Sequence, residues 1–425
     1  MERHCKAYDT YIEILRRELV CAMGCTEPIA IAYCAAKARA ILGTLPERII
    51  IEASGNMIKN VKSVVVPNTN GQRGMAVAAA IGILGGDEEA GLQVISNVSE
   101  ETKNRLSAYL AEVDTRIAPL QSEQLLDIRV SVFEGASSAS VRIAEEHTNI
   151  IRMEKDGVVI FEKNENAAQA EESDTPDYEL LTVEGIYDFA DTCELSDVRD
   201  IISRQIELNT AIAEEGLKNS YGANIGKVLM ATGTDVRTRA RAMAAAGSDA
   251  RMNGCEMPVV ICSGSGNQGL TASLPVIEYA KELGSSEDKL YRALLVSNLI
   301  TLHEKTSIGR LSAYCGAVSA GAGAGAGIAY LCGGGVEEVA HTLVNALAIT
   351  SGIVCDGAKS SCAGKISAAV DAGIFGFEMF KNGQQFYGGD GLVRKGVENS
   401  IASFGRLGRV GMKETDQEII HMMTE

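Results

Sequence analysis

The sequence predicts an α+β fold, with an N-terminal α/β region holding a small mixed sheet and a mostly α-helical C-terminal domain. Three observations carry this. Short Ile- and Val-rich runs cluster before residue 162, an acidic polar stretch interrupts the chain at 162–180, and nearly everything after Tyr187 reads as helix or Gly-rich loop. The expected division is 1–185 and 186–425, and 425 residues are enough to give each part its own core.

From Tyr11 to Cys21, Ile12, Leu15 and Leu19 fall on one stripe at helical spacing. A break follows at Met23-Gly24-Cys25. A second helix then starts, with Thr26 suited to the N-cap, Glu27 and Pro28 to the first turn, and Gly43 to the end. Arg48–Ser54 and Val61–Pro67 read as strands, and Met75–Leu84 as a small-residue helix. Four further strands are expected at Leu126–Phe133, Ser138–Ile143, Asn149–Met153 and Val158–Phe161. Lys155-Asp156-Gly157 signals a hairpin, because Gly tolerates positive φ. The stretch EKNENAAQAEESDTPDYEL reads as an exposed connection. No short-period repeat points to a solenoid.

Composition narrows the function. The chain is 46% hydrophobic and 22% charged, as in ordinary globular proteins. A net charge of −17 disfavours phosphate backbones and acidic membrane surfaces. With 5% aromatics and no Trp, base-stacking platforms are improbable too, so neither nucleic acid nor membrane is expected as a partner. Eleven cysteines fall far short of a disulfide scaffold, and residues 1–20 lack the apolar core of a secretory signal. A reducing cytoplasm is the expected location. Tyr314–Val336 is uncharged and long enough for a bilayer. However, only Val318, Ile328, Leu331 and Val336 are strongly apolar, at roughly −0.3 to −0.6 kcal/mol each. The span fails on magnitude.

Cys25 stands just outside a helix N-terminus, where free N–H groups and the macrodipole favour a thiolate. Such a group can act as nucleophile, base or metal ligand, or it can be an inert buried cysteine like Cys21 or Cys34. Cys315, Cys355 and Cys362 lie in loop-like sequence, at spacings that match neither zinc pairs nor ferredoxin runs. Three loop cysteines can hold a 4Fe–4S cluster with one iron free, although cysteines are also common in helical cores. Ser263–Gly269 contains G-x-G-x-x-G, but no βαβ pattern surrounds it and Pro275 falls early in the following helix. An anion-binding loop using backbone N–H groups and Asn267 is preferred to a dinucleotide site. Gly321, Gly323, Gly325 and Gly327 would each cost about 0.5–1 kcal/mol in a helix. Close helix packing is at least as good an explanation as cofactor contact. His147 precedes a strand within Glu-His-Thr-Asn and His303 lies near Lys305, but for a lone histidine an ordinary polar role is the better bet.

Taken together, Gly24-Cys25-Thr26-Glu27-Pro28, Ser263–Gly269, Leu311–Gly316 and Cys355–Cys362 resemble the L-cysteine desulfidase family, a relative of the bacterial iron–sulfur L-serine dehydratases. The resemblance runs over essentially the whole chain. It implies a 4Fe–4S cluster held by Cys315, Cys355 and Cys362 in the helical domain, and Cys25 as the catalytic base. It also implies substrate contacts from Thr26, Ser265, Asn267, Gln268, His147 and Asn149. In the serine dehydratases the last two cluster cysteines are spaced more widely, and Ser-Ser-His stands near the position of Gly-Cys-Thr-Glu-Pro. Both departures favour the desulfidase side.

The expected protein is therefore a cytoplasmic, homo-oligomeric lyase, expected as a dimer, that converts L-cysteine to pyruvate, ammonia and sulfide. An L-serine dehydratase with the same site is the near alternative. Others are an iron–sulfur redox sensor without turnover and a pyridoxal-phosphate lyase using Lys59, Lys305 or Lys365.

Overall fold

A computed structural model describes residues 1–122, 124–163, 175–309 and 311–424. Residues 164–174 of the expected acidic connection lie outside the described residues.

Alternation of apolar and polar side chains builds the sheet. In β2 (Arg48–Ala53), Ile49, Ile51 and Ala53 are buried while Arg48, Ile50 and Glu52 are half-exposed. In β4 (Asp127–Glu134), Ile128, Val130 and Val132 are buried, and in β5 (Ser137–Ala144) so are Ala139, Val141 and Ile143. With β3 (Asp114–Pro119), β6 (Ile150–Lys155) and β7 (Val158–Glu162), these strands form a six-stranded mixed sheet ordered β3-β2-β4-β5-β6-β7. Only the β2–β3 pair is parallel. The β6–β7 turn has Asp156 at φ 49° and Gly157 at φ 77°, the two positive values that a tight hairpin needs. The Ala- and Ile-rich helices α2 (Thr26–Leu42) and α4 (Met75–Gly85) join this core, in which Ile29, Ile31 and Ile81 are fully buried.

The second core is helical. Helix α1 (Lys6–Glu18) packs into it although it comes first in the chain, through Tyr8 and Tyr11 against Phe189. Two short helices, α3 (Gly55–Val61) and α5 (Glu100–Glu112), belong to the N-terminal half. The helical half runs through α6 (Val183–Thr192), α7 (Arg199–Lys218), α8 (Ile225–Met230), α9 (Val236–Met252), α10 (Gly266–Leu283) and α11 (Glu287–Ile308). It continues with α12 (Gly316–Leu331), α13 (Val336–Thr350), α14 (Ser361–Lys381), α15 (Val397–Arg406) and α16 (Lys413–Thr424). One small ladder interrupts it, with β1 (Cys21–Met23) antiparallel to β8 (Pro258–Val260). The α+β expectation holds.

Three local expectations are corrected. Val61–Pro67 is not a strand: α3 takes the chain to Val61, and the rest makes only an isolated bridge from Val65 to Arg73. An apolar run too short to show a period is ambiguous, and here Val64, Val65 and Val66 are buried without a ladder. The first helix ends at Glu18, because the next residues pair with β8. Thr26 is the first residue of α2, whose N-cap is Cys25. Its hydroxyl instead donates to the Gly264 carbonyl at 3.0 Å.

The Gly/Ala run forms α12, the buried centre of the helical half. A Cβ on Gly321 would sit 2.5 Å from the Ala369 carbonyl carbon, and one on Gly325 the same distance from the Gly373 oxygen. On the other side, a Cβ on Gly323 would lie 2.6 Å from the Ser297 oxygen. The glycines thus let α11 and α14 approach α12 backbone to backbone. Dispersion contacts from that approach offset the helix penalty. Among the described residues no helix is long and apolar enough to cross a membrane.

Two glycines of α14 should respond oppositely to alanine. At Gly373 the new Cβ would meet the Gly321 oxygen at 2.1 Å, whereas at Gly364 it meets nothing within 4 Å. Gly373→Ala should destabilise by about 1–3 kcal/mol through overpacking. Gly364→Ala should stabilise by up to roughly 0.8–1 kcal/mol through helix propensity. Denaturant unfolding measures both, and equal shifts would refute the packing account.

Candidate active site

Four helices begin at one cavity. Cys25 is the N-cap of α2, Ser265 of α10 and Cys315 of α12, while Cys362 is the second residue of α14. All four line the same cavity, and none of these helix ends is closed by a side-chain cap. Uncapped N–H groups and aligned dipoles make the cavity wall favourable to negative charge.

Local structure explains how distant segments meet there. Cys315 and Cys355, far apart in sequence, are tied by a one-bridge ladder. Cys315 N–H donates to the Ile353 carbonyl at 3.1 Å, Cys355 N–H donates to Ala313 at 2.6 Å, and Tyr314 pairs with Val354. Cys362 follows in the first turn of α14, and its thiol reaches the Gly357 carbonyl at 3.6 Å. On the opposite segment, Gly24 has φ 63°, and a Cβ there would sit 2.2 Å from Pro67 Cγ. Only glycine suits that turn, which delivers Cys25 to the head of α2. Cys25, Val64 and Met252 form a small buried cluster against which Ala358 and Cys362 pack. Cys25 and the three-cysteine segment therefore share one wall.

The Cys25 thiol donates to Glu27 Oε2 at 3.0 Å. Burial, then the Glu27 charge, push its pKa well above the ordinary thiol value, and Arg251 only partly offsets them. The lowering expected from the helix end is overturned, because burial beside a carboxylate outweighs the dipole. For Glu27 itself, burial works upward, but His147, the Cys25 thiol and Arg251 outweigh it and hold the carboxyl below its ordinary value. Glu27 also accepts from Asn60 Nδ2 at 2.9 Å and from the Thr26 hydroxyl at 3.2 Å. A thiol facing an ionised carboxylate is a donor–acceptor pair able to move a proton.

The Cys315 thiol is pushed up to about 12 by burial and by Cys355, with Cys362 adding to the shift. Burial also raises Cys362. Cys315 and Cys362 therefore resist ionising unless a cation compensates them. Among the described residues, no three His, Cys, Asp or Glu side chains converge on a point that would hold one metal ion. A 4Fe–4S cluster does not need such a point, since each thiolate binds a different iron. The donor set fits a cluster better than a single ion.

The remaining expected residues divide. Asn267 and Gln268 line the cavity with Ser265. The Thr26 hydroxyl faces the Gly264 backbone rather than the cavity. His147 is buried and acts on Glu27 electrostatically, without lining the cavity. Asn149 donates to the Ala144 carbonyl at 2.9 Å and accepts from Lys163 at 2.9 Å, shaping the turn before β6. His303 is bonded to Glu398 at 2.6 Å. Of the lysines weighed for a Schiff base, Lys59 and Lys305 both line the cavity, Lys59 pairing with Asp416 at 2.5 Å, while Lys365 pairs with Asp356. Sequence reasoning missed Asn60 and Arg251, and it read Glu27 only as a helix-start residue. No local pattern marks them.

The short ladder β1–β8 is antiparallel, and the Ser263–Gly269 loop follows it without a parallel βαβ unit. Pro275 lies inside α10. The dinucleotide reading finds no support in this topology.

Residues 89–421 match the family described as serine dehydratase alpha chain, a span that includes Cys315, Cys355 and Cys362 but begins after Cys25. Curated relatives match over nearly the full length. A UPF0597 protein of Desulfitobacterium hafniense (strain Y51) is 59% identical, over 100% of this chain and 98% of the relative. A UPF0597 protein of Lachnoclostridium phytofermentans is 51% identical, over 98% and 99% respectively. One from Treponema denticola is 47% identical, over 98% of each.

Removing the Glu27 charge should make Cys25 more acidic, because that charge raises its pKa. In Glu27→Gln, the pH of half-maximal Cys25 alkylation should fall by about one unit or more. Peptide mass mapping reads this site by site, with Cys34 as an unaffected reference. An unchanged midpoint would dissolve the Cys25–Glu27 coupling.

Proposed function

The chain belongs to the serine dehydratase alpha-chain family, and we propose that it is an iron–sulfur lyase converting L-cysteine to pyruvate, ammonia and sulfide. The observation that carries the proposal is the gathering of Cys315, Cys355 and Cys362 on the cavity that Cys25 also lines. All eleven cysteines are free thiols, which suits the reducing cytoplasm proposed as the setting.

Cys315, Cys355 and Cys362 are the residues that would hold the cluster. When bound, a 4Fe–4S cluster with three protein thiolates supplies a Lewis-acidic iron that helps a sulfide or hydroxide leave. The protein's own part is proton handling and placement. Glu27 holds the Cys25 thiol at 3.0 Å, and relief of its negative charge is what would let Cys25 ionise. The resulting thiolate removes the α-proton, and the electron pair left on Cα forms the Cα–Cβ double bond as the Cβ–S bond breaks. Aminoacrylate then tautomerises and hydrolyses to pyruvate and ammonia. The Ser265–Gln268 segment orients the substrate at the head of α10. Burial of Cys25 and Met252 keeps bulk water from the thiolate.

A second reading, L-serine with water as the leaving group, draws on the serine dehydratase description of the matching family. The Cys25 segment favours cysteine. The two part on substrate alone, and parallel anaerobic assays with L-cysteine and L-serine compare their kcat/KM.

Cys25→Ser should keep the broad visible iron–sulfur absorption after anaerobic reconstitution and lose pyruvate formation by at least roughly 100-fold. Full activity would sink the base assignment. Cys355→Ala should lower the iron bound per chain, and an unchanged iron content would refute its role as a ligand. A sharp aldimine band in place of the iron–sulfur absorption would favour a pyridoxal-phosphate lyase.

A further inference from the structure

Arg251 ends α9 with a side chain only 2% exposed, among the largest fully buried side chains in the protein. Two other buried cations have carboxylate partners: Lys59 has Asp416, and Lys103 has Glu100 and Glu256. Among the described residues Arg251 has no ion pair within contact distance. Its Nη1 donates to Asn267 Oδ1 at 3.2 Å, and its Nε has no protein partner. A buried guanidinium left in this state is costly unless another group completes it.

Its position indicates what completes it. A Cβ on Gly266 would lie 2.2 Å from Arg251 Nε and 2.7 Å from Cζ. The guanidinium therefore lies against the first residue of α10, whose N-terminus carries no side-chain cap. Glycine at 266 is what allows the approach. Gln268 Oε1, in the same turn and 5% exposed as a residue, also lacks a protein partner, but as an acceptor it calls for a donor and not for the carboxylate. Arg251, Asn267 and Gln268 all line the cavity with Cys25. A planar cation beside free helix N–H groups matches a group with two coplanar anionic oxygens.

We propose that Arg251 binds the α-carboxylate of the substrate at the head of α10, so that the site selects free α-amino acids over their amides and over amines. The word substrate rests on the lyase reading above, but the carboxylate site can be tested without turnover. Asn267 is the polar neighbour that holds the guanidinium in register.

The test is calorimetric binding of L-alanine, which has no β leaving group, and of L-alaninamide to the full chain. Wild type should bind L-alanine and discriminate against the amide by about 10- to 100-fold, the range that losing a charge-assisted hydrogen bond gives. Arg251→Met should lose that discrimination, and Arg251→Lys should recover part of it. Arg251→Gln, which keeps polarity without charge, should behave like Arg251→Met and replaces it if the methionine variant does not fold. Equal binding of acid and amide by wild type, no binding of either, or undiminished discrimination in both uncharged variants would overturn the proposal. Turnover separates the two readings. Pyruvate formation with unchanged KM in Arg251→Gln would keep the lyase and remove the carboxylate role. Selective L-alanine binding without any turnover of L-cysteine or L-serine would do the reverse.

Discussion

Everything at the candidate site depends on four helix N-termini being brought to one cavity. Each contributes N–H groups that its own helix cannot satisfy, and a partial positive charge near its end. Side chains placed there feel this field first. Three of the four starts carry a cysteine, and the fourth carries Ser265 with the uncapped turn behind it. An arrangement that gathers unpaired donors and buried thiols is expensive without anionic or metal-bound occupants. The same expense makes it suitable for thiolates, an iron–sulfur cluster and a carboxylate.

Bringing helix ends together requires the helix bodies to pack closely, and α12 makes that possible. Its alternate glycines remove the side chains that would separate it from α11 and α14. Cys315 at its start and Cys362 at the start of α14 are positioned by that approach, and the single bridge between Tyr314 and Val354 sets Cys355 beside Cys315. Packing that looks purely structural thus sets the separation of two proposed cluster ligands. On the other wall, the tight turn at Gly24 and the Thr26 bond to Gly264 hold the Cys25 helix against the α10 loop.

The electrostatics are not those of an isolated helix end. A dipole alone would favour the Cys25 thiolate, yet burial and the Glu27 carboxylate reverse the direction. Glu27 stays ionised because His147, Arg251 and the Cys25 thiol act on it together. The pair stores a proton on sulfur and a charge on oxygen, each in reach of the other. Removal of the Glu27 charge would make the thiol more acidic.

Much of the fold was legible in the residues themselves. Period-two burial marked β2, β4 and β5, the Asp-Gly pair marked the β6–β7 turn, and Gly43 ended α2 with φ 87° as its position required. The run Val61–Pro67 misled, because local hydrophobicity shows that a segment is buried but not whether a neighbouring strand is there to pair with it. β1 and β8 have three residues each, too few to show a period, and exist only because they meet. At the site, the joined motifs raised the expectation that Cys25, Cys315, Cys355 and Cys362 belong together, and one cavity is lined by all four. Tertiary structure alone decided that Glu27 faces Cys25, that Asn60 braces Glu27, and that Arg251 lies unpaired over Gly266. The roles of Asn60 and Arg251 come from neighbours distant in the chain, and although Glu27 is only two residues from Cys25, its effect on the thiol comes from burial, which no spacing encodes.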